Sequence, residues 1–255
     1  MNRRTALVTG ASSGIGLDLA RLFAADGWDV VLVARTESKL REIAAQLGNA
    51  RVIVSDLSKP GAAKEIVAEL ERSGTEIEAL VNNAGYGLTG PFAETDLQRE
   101  NEMIQVNIVA LTQLTKLLLA PMVARKHGRI LNVASTAAFQ PGPLMAVYYA
   151  TKAYVLSFSE AIADELRNSG VTVTTLCPGP TKTGFAEMAK MTESRLFTMM
   201  RPMSSADVAR AGYHGMLAGR HLVIPGAKNK LLVQSLRISP RRAVIRLVRK
   251  FQESR

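Results

Sequence analysis

Seven short apolar runs, separated by stretches with helical periodicity, constrain the fold of this chain more than any other feature. Several runs are apolar at nearly every position, which is typical of parallel strands covered by helices on both faces. The intervening stretches are long enough for right-handed crossovers. We therefore predict an α/β fold, a single-domain Rossmann-like doubly wound parallel sheet of about seven strands with helices on both faces. The predicted strands are Ala6–Thr9, Val30–Ala34, Arg51–Val54, Ala79–Asn82, Arg129–Ala134, Val171–Cys177 and Leu222–Ile224.

The composition fits one globular domain followed by a short tail. A chain of 255 residues, 47% of them hydrophobic, is long enough to bury a large core, which excludes a disordered protein. We predict a domain over residues 1–230 and a basic amphipathic tail over residues 231–255. Within the domain, the connection 184–206 is long enough to be a lid. It contains five of the ten methionines, Met188, Met191, Met199, Met200 and Met203.

Positive charge is concentrated in the C-terminal part. The chain has a formal net charge of +10, and residues 220–255 contain ten basic residues and one acidic residue. Ser239 and Pro240 are predicted to be the N-cap and the first residue of an amphipathic helix. Its predicted apolar side consists of Val244, Leu247, Val248 and Phe251, and its cationic side consists mainly of Arg241, Arg242, Arg246, Arg249 and Lys250.

Three roles are open for this cationic helix. Residues 240–251 could lie on an anionic membrane surface, with the apolar stretch 231–233 helping. The helix could instead pack on the body of the protein or on a second subunit. Nucleic-acid binding is the least favoured role, because no aromatic interleaving or recognition module accompanies the charge.

The cysteine content and the N-terminus indicate a reducing compartment. Cys177 is the single cysteine, so an intramolecular disulfide and a zinc site with several thiolates are excluded. We interpret Cys177 as a buried core residue. No secretory signal precedes the first apolar run, and no stretch approaches 18 uninterrupted apolar residues. We therefore expect a cytoplasmic protein.

A glycine-rich loop joins the first predicted strand to a helix. Gly10 allows a tight turn, while Gly14 and Gly16 allow close backbone approach to a pyrophosphate and to the strand. The N-terminus of the following helix offers free N–H groups and a favourable dipole. The loop therefore predicts a dinucleotide site, which also includes Ser12, Ser13 and Ile15.

The end of the second predicted strand suggests which dinucleotide is bound. An acidic side chain here would hold a free ribose 2′-hydroxyl, but the sequence has Ala34 and Arg35. A guanidinium can bind a 2′-phosphate through forked, charge-assisted hydrogen bonds. We therefore expect a preference for NADP(H). The alternative is that Arg35 is a solvated residue at a helix start.

A tyrosine and a lysine four residues apart form the candidate catalytic pair. Tyr148 and Lys152 would lie on one face of a helix, where both can contact the same ligand. A phenol has a pKa near ~10, and a neighbouring ammonium brings it closer to the range useful at neutral pH. Ser135 lies at the end of a predicted strand, where ligands bind in open α/β sheets.

These motifs together resemble the short-chain dehydrogenase/reductase family. The Thr-Gly-x-x-x-Gly-x-Gly loop, the Asn-Asn-Ala-Gly turn at residues 82–85, Ser135 and the Tyr-x-x-x-Lys pair occur in the order typical of that family. Asn107 and the Pro178–Gly179 turn complete the set. The resemblance covers roughly residues 5–225.

The resemblance implies roles for individual residues. Tyr148 would be the general acid-base, Ser135 would orient the carbonyl or hydroxyl, and Lys152 would both lower the pKa of Tyr148 and contact the nicotinamide ribose. Asn107 would hold a water in a proton relay. The remaining implied cofactor contacts are Asp56 and Leu57 beside the adenine, Asn83, Ala84, Gly85, Pro178 and Gly179 along the cofactor, and Thr183, assisted by Thr181, at the carboxamide.

One position departs from the pattern of NADP-preferring relatives. These often have a basic residue immediately before the second loop glycine, where this chain has Ser13. Arg35, with Ser12 and Thr36, must then hold the 2′-phosphate.

The sequence therefore predicts an NADP(H)-dependent oxidoreductase that transfers a hydride between the nicotinamide and a carbonyl/alcohol pair without a metal. Met145 and the methionine-rich connection favour an apolar or lipid-like substrate. Lys190, Arg195 and Arg201 leave an anionic substrate open. The resemblance implies a homo-dimer or homo-tetramer. The alternative function is a non-catalytic dinucleotide sensor that its basic tail recruits to a membrane or a partner.

Overall fold

A seven-stranded parallel sheet forms the centre of the protein. The computed structural model describes residues 4–185, 189 and 202–253. The strand order is β3-β2-β1-β4-β5-β6-β9, which confirms the doubly wound fold. Every predicted strand is present, with ends shifted by one residue at most. The strands of this sheet are β1 (Thr5–Thr9), β2 (Asp29–Ala34), β3 (Ala50–Val54), β4 (Ala79–Asn82), β5 (Gly128–Val133), β6 (Val171–Leu176) and β9 (Leu222–Val223).

Helices cover both faces of the sheet. The strand pleat sends Ala6 and Val8 to one face and Leu7 to the other. The first face packs against α1, α2 and α7, and the second packs against α3, α5 and α6. The helices are α1 (Gly14–Ala25), α2 (Glu37–Leu47), α3 (Ala62–Arg72), α4 (Leu97–Ile104), α5 (Leu111–Ala124), α6 (Ala146–Glu165), α7 (Ser205–Leu217), α8 (Ala227–Leu236) and α9 (Arg241–Gln252).

The helices α4 and α5 belong to one continuous helical stretch, Leu97–Ala124, joined by a π-helical segment over Gln105–Ala110. By length and composition alone this stretch could cross a membrane. However, Met103 and Leu114 are fully buried, and Thr115 accepts a hydrogen bond from Asn82 inside the core. The stretch is therefore built into the domain, and its π-helical segment carries Asn107.

The connection predicted as a lid begins and ends at a small second sheet. Strand β7 (Thr181–Lys182) pairs in parallel with β8 (Met203–Ser204), which brings the two ends of the connection together. The predicted boundary at residue 206 is wrong, because α7 already begins at Ser205. Ser204 caps this helix by accepting a hydrogen bond from the Asp207 N–H. Met188, Met191, Met199, Met200, Lys190, Arg195 and Arg201 lie outside the described residues.

The predicted tail, residues 231–255, begins inside α8 and includes α9, which packs on the body. Val244 and Gln252 of α9 are 8% and 3% exposed, whereas Leu247 is 55% exposed. The buried stripe follows positions 244, 248 and 252, whereas Leu247 of the predicted apolar side lines the cavity but stays partly exposed. Pro240 is the cap rather than the first helical residue, since its ψ of 125° is extended. Packing on the body was one of the roles open from the sequence.

Candidate active site

The carboxyl ends of the central strands open into a cavity of about 870 Å³. Ligands bind at this edge in doubly wound sheets, because the strand order reverses there and the following loops separate. The cavity brings together all the predicted catalytic and cofactor residues except Gly16 and Asn107, which lie behind its wall.

The glycine loop between β1 and α1 has a backbone that larger residues cannot adopt. Gly10 and Gly14 have φ values of +66° and +56°, in the left-handed region that favours glycine. A Cβ on Gly10 would lie 2.8 Å from Asn83 Nδ2, and one on Gly16 would collide with the Gly10 carbonyl oxygen. The residues where this loop meets α1, Ser12 to Ile15, line the cavity. This geometry fits a bound pyrophosphate.

Asn83 and Thr9 hold the glycine loop against the end of β4. Asn83 Nδ2 donates to the Thr9 carbonyl at 2.9 Å, and Thr9 Oγ1 accepts from the N–H groups of Asn83 and Ala84, each at 3.0 Å. Thr9 is 1% exposed. This role of Thr9 was not predicted from the sequence, although the threonine before the first loop glycine is visible in the motif.

Arg35 lies at the end of β2, exposed beside the cavity. Ser12, Ser13 and Thr36 line the same region. Burial tends to raise the pKa of Asp56, but hydrogen bonds from the Ser58 backbone and side chain and the positive charge of Arg35 outweigh it and lower the pKa. Arg35 and the ionised Asp56 thus lie near each other at the predicted adenosine end.

Tyr148 of α6 is buried and faces the cavity. Its ring lies 5.3 Å from the ring of Phe185, centre to centre. Burial raises the pKa of the Tyr148 phenol well above its ordinary value, and an interaction with the Ser135 side chain opposes that rise. Ser135 Oγ accepts from the Ala137 N–H at 3.1 Å, which fixes the side chain at the end of β5. Tyr148 is therefore a neutral phenol at neutral pH.

Lys152 lies one turn after Tyr148 and is 6% exposed. Its Nζ donates to the Val133 carbonyl at 2.9 Å and lies 5.9 Å from the centre of the Tyr148 ring. Burial lowers the pKa of Lys152 to about 8. The lowering of the Tyr148 pKa by Lys152 stays a prediction. The ammonium is directed to the strand carbonyl, and the lowering interaction comes from Ser135.

Asn107 joins the loop after β4 to α6. Its Oδ1 accepts from the Tyr86 N–H at 3.2 Å, and its Nδ2 donates to the Tyr86 carbonyl and to Thr151 Oγ1, each at 3.0 Å. A Cβ on Gly85 would lie 2.9 Å from Asn107 Oδ1. Asn107 thus positions the segment that passes in front of Lys152.

The loop after β6 forms another side of the cavity. Thr181 Oγ1 donates to the Gly179 carbonyl at 2.9 Å, and Thr183 Oγ1 accepts from the Phe185 N–H at 3.2 Å. A Cβ on Gly14 would lie 3.0 Å from Thr183 Cγ2, so the loop packs closely on the glycine loop. Asn229 of α8 contacts Gly179 and is a lining residue that the sequence analysis missed.

The C-terminal helix α9 forms the outer wall. Val244, Val248 and Phe251 line the cavity together with Gln252. Val248 packs against the apolar cluster that contains Met145 and Tyr148. Gln252 Nε2 donates to Tyr149 Oη at 2.6 Å. The sequence predicted the apolar side chains, but not that they would close the same cavity that holds Tyr148.

This layout defines a class of protein. A Rossmann-type sheet with a glycine loop, a buried phenol, a serine and a lysine in one cavity has the parts of a dinucleotide-dependent oxidoreductase. A sequence model described as short chain dehydrogenase matches residues 4–194. The chain belongs to the short-chain dehydrogenase family, whose members are oxidoreductases acting on alcohol and carbonyl groups.

Known proteins resemble this chain over most of its length. A short chain dehydrogenase of Pseudocercospora fijiensis is 37% identical over 182 residues, which are 69% of this chain and 59% of that relative. A short-chain dehydrogenase from Sphingobium yanoikuyae, solved in complex with NADPH, has a TM-score of 0.81 and 30% identity, covering 94% of this chain and 97% of that one. The bulky-bulky ketone specific alcohol dehydrogenase from Comamonas testosteroni has a TM-score of 0.79 and 29% identity, covering 93% of each chain.

Proposed function

We propose that the protein is an NADP(H)-dependent oxidoreductase that interconverts an apolar ketone and its alcohol, with Tyr148 as the general acid-base. The observation that carries this proposal is the position of Tyr148. Its phenol is buried in the same cavity as Ser135, Lys152 and the glycine loop. A non-catalytic sensor would not need this arrangement.

The residues around the cavity fit a dinucleotide. The loop glycines allow a close approach of the loop to Asn83 that a Cβ would prevent. Arg35, Ser12 and Thr36 supply cationic and hydroxyl groups for a 2′-phosphate. Pro178, Gly179 and Thr183 would border the nicotinamide end. The similar dehydrogenase from Sphingobium yanoikuyae binds NADPH. These observations support NADP(H) over NAD(H) for this chain.

When bound, the nicotinamide supplies or accepts the hydride. The chain itself handles the proton. Because burial keeps Tyr148 protonated at neutral pH, its hydroxyl is suited to donate a proton to a carbonyl oxygen. Ser135 orients that oxygen, and the positive charge of Lys152 favours the phenolate that remains after donation.

The substrate half of the cavity is mainly apolar. Met145, Phe185 and Val248 surround Tyr148, and Val244 and Phe251 extend the wall. Such a lining binds through burial of apolar surface rather than through charge. The bulky-ketone specificity of the Comamonas testosteroni enzyme agrees with a bulky apolar ketone as the substrate class.

Tyr148→Phe tests the proposed chemistry. We expect kcat for ketone reduction to fall by a factor of roughly 10² to 10⁴, because the proton donor is removed while the cavity keeps its shape. NADPH affinity, measured by fluorescence titration, should stay within about twofold. Tyr154→Phe is the matched control, since Tyr154 lies on the same helix with its hydroxyl on Thr112 at the surface. Near-normal turnover of Tyr148→Phe would refute the assignment. Tight NADPH binding without turnover of any ketone by the unmodified protein would favour the sensor.

Self-association is part of the proposal. Leu117 and Val123 of α5 are 36% and 38% exposed. We expect a dimer or tetramer by light scattering coupled to size exclusion. Monomer at micromolar concentration would contradict this expectation.

The outer surface of the tail supports a separate proposal of peripheral membrane association. Leu231 and Ile238 are 73% and 88% exposed, and they occur near exposed basic residues of α8 and α9. We expect the protein to float with vesicles that contain phosphatidylserine and not with pure phosphatidylcholine vesicles. The variant Arg242→Glu with Arg246→Glu should float less. Equal partitioning of both proteins would remove the membrane proposal.

A further inference from the structure

One polar side chain interrupts the apolar inner face of α9. Gln252 continues the stripe of Val244 and Val248 at four-residue spacing, and it is 3% exposed. Its Nε2 donates to Tyr149 Oη, while its Oε1 has no hydrogen-bond partner among the residues that the structure describes. Gln252 also lines the cavity. A buried amide oxygen of a cavity-wall residue is thus left unpaired.

Leaving this oxygen unpaired is unfavourable. A buried acceptor without a partner costs about 1–3 kcal/mol, whereas methionine would fill similar space without that cost. Anchoring α9 requires only the Nε2 end of the amide. The other end needs a hydrogen-bond donor, and the cavity is where a donor can reach it.

A second acceptor lies on the same cavity. Gln140 Oε1 is also buried without a partner in the described part of the chain, and Gln140 is a lining residue. Tyr149, which holds Gln252, contacts Tyr148 edge to face, with ring centres 6.0 Å apart. The unpaired acceptors therefore belong to the wall that a substrate at Tyr148 would touch.

We propose that Gln252 is a specificity-determining residue whose Oε1 accepts a hydrogen bond from a hydroxyl or N–H group on an otherwise apolar ketone, away from the carbonyl. This inference rests on the proposed function, because it assumes that a ketone is bound at Tyr148. The inference assigns the substrate a second functional group, a hydrogen-bond donor, besides its carbonyl. The substrate class becomes an apolar ketone with a distal hydrogen-bond donor.

Discrimination follows from which ligand supplies a donor to Gln252. In the free protein, Oε1 is buried without a partner among the described residues. A ketone with a distal hydroxyl supplies the missing hydrogen bond, whereas a purely hydrocarbon ketone leaves Oε1 unpaired. A site that hydrogen-bonds a substrate hydroxyl therefore rejects the analogue that lacks it.

The test compares methyl nonyl ketone with its terminally hydroxylated derivative. Dissociation constants are measured by calorimetry on the full chain saturated with NADP⁺, where no reduction takes place. The proteins are the unmodified chain, Gln252→Met and the matched control Gln234→Met, in which an exposed glutamine of α8 is replaced. Tyr148-dependent turnover is assayed separately, so a failure of the proposed chemistry is distinguishable from a failure of this inference.

We expect the unmodified chain and Gln234→Met to bind the hydroxylated ketone about tenfold more tightly than the plain ketone. Gln252→Met should lose that preference and bind the plain ketone at least as well as before. The inference is overturned if the preference survives in Gln252→Met, if the unmodified chain shows no preference or binds neither ketone, or if Gln252→Met weakens both ketones equally. The last result, with a lowered Tm, would mean that Gln252 only anchors the helix.

Discussion

The two walls of the cavity are built in different ways. The nucleotide wall comes from loops after β1, β2 and β4, and hydrogen bonds to backbone atoms fix it, such as that from Asn83 Nδ2 to the Thr9 carbonyl. The substrate wall includes Phe185 and the C-terminal helix α9, held by apolar contacts and one side-chain bond between Gln252 and Tyr149. The loop glycines of the first wall cannot be replaced by larger residues without a clash, whereas the second wall consists of apolar side chains that other side chains can replace.

This difference indicates which residues can be substituted without loss of catalysis. Overpacking next to backbone atoms displaces a loop, because the backbone cannot rotate away as a side chain can. Substitutions in an apolar wall change volume and shape, and such walls tolerate them better. We therefore expect nucleotide-wall variants to lose cofactor binding and α9 variants to change ketone preference alone.

The variant Gly16→Ala should have the largest effect. Its Cβ would collide with the Gly10 carbonyl oxygen and with Asn83 Nδ2, which are both held in place. We expect NADPH and NADH affinity to fall by a factor of roughly 100, measured by fluorescence titration. The control is Gly184→Ala, where an added Cβ meets no other atom within 4 Å. Equal NADPH affinity in the two variants would contradict the claim that the nucleotide wall does not tolerate larger residues.

Lys152→Met tests the cost of a buried charge at the junction of the two walls. Because burial lowers the pKa of Lys152 from 10.5 to about 8, folding disfavours its charged form below about pH 8. This penalty should disappear as the pH rises from about 8 to about 10.5. The advantage of Lys152→Met in free energy of unfolding should therefore shrink across that window, by on the order of 3 kcal/mol.

Urea unfolding of both proteins at several pH values measures this difference. A difference that does not depend on pH would show that Lys152 has its ordinary pKa in the folded protein. NADPH affinity of Lys152→Met should fall in the same samples, because the cavity loses its ammonium group.

Arg35→Ala should lower the affinity for NADPH but not for NADH. Removal of the guanidinium takes away charge-assisted hydrogen bonds to a 2′-phosphate, so NADPH affinity should fall by a factor of about 10 or more while NADH affinity changes little. Arg41→Ala is the matched control, because Arg41 pairs with Glu37 on the exposed side of α2. Equal losses for NADPH and NADH would show that Arg35 does not select the phosphate.

Val244→Ala should have the smallest effect, and this effect should be limited to the substrate wall. Val244 is 8% exposed, and its truncation removes two methyl groups from the packing of α9 at a cost of about 1–1.5 kcal/mol of stability. We expect KM for an apolar ketone to rise by roughly threefold while NADPH affinity stays unchanged. Leu231→Ala, at an exposed position of α8, should change neither quantity. A change in NADPH affinity for Val244→Ala would show that the two walls are coupled.

The sequence predicted the nucleotide wall better than the substrate wall, for a physical reason. The glycine loop, the strand ends and the Tyr148–Lys152 pair are local patterns whose spacing sets their geometry. The contact of Gln252 with Tyr149 joins residues 103 positions apart, so no local pattern contains it. The predicted apolar side of the tail helix included Leu247 and omitted Gln252, because a polar residue can be buried only where a distant partner satisfies it.

Deuterium transfer tests the central claim most directly. The protein is incubated with a bulky apolar ketone and NADPH that carries deuterium at both hydrogen positions of nicotinamide C4, and the product is analysed by mass spectrometry. We expect the unmodified chain to form an alcohol that carries one deuterium on the former carbonyl carbon, and Tyr148→Phe to form almost none. Absence of labelled alcohol from the unmodified chain, with NADPH bound, would contradict the account.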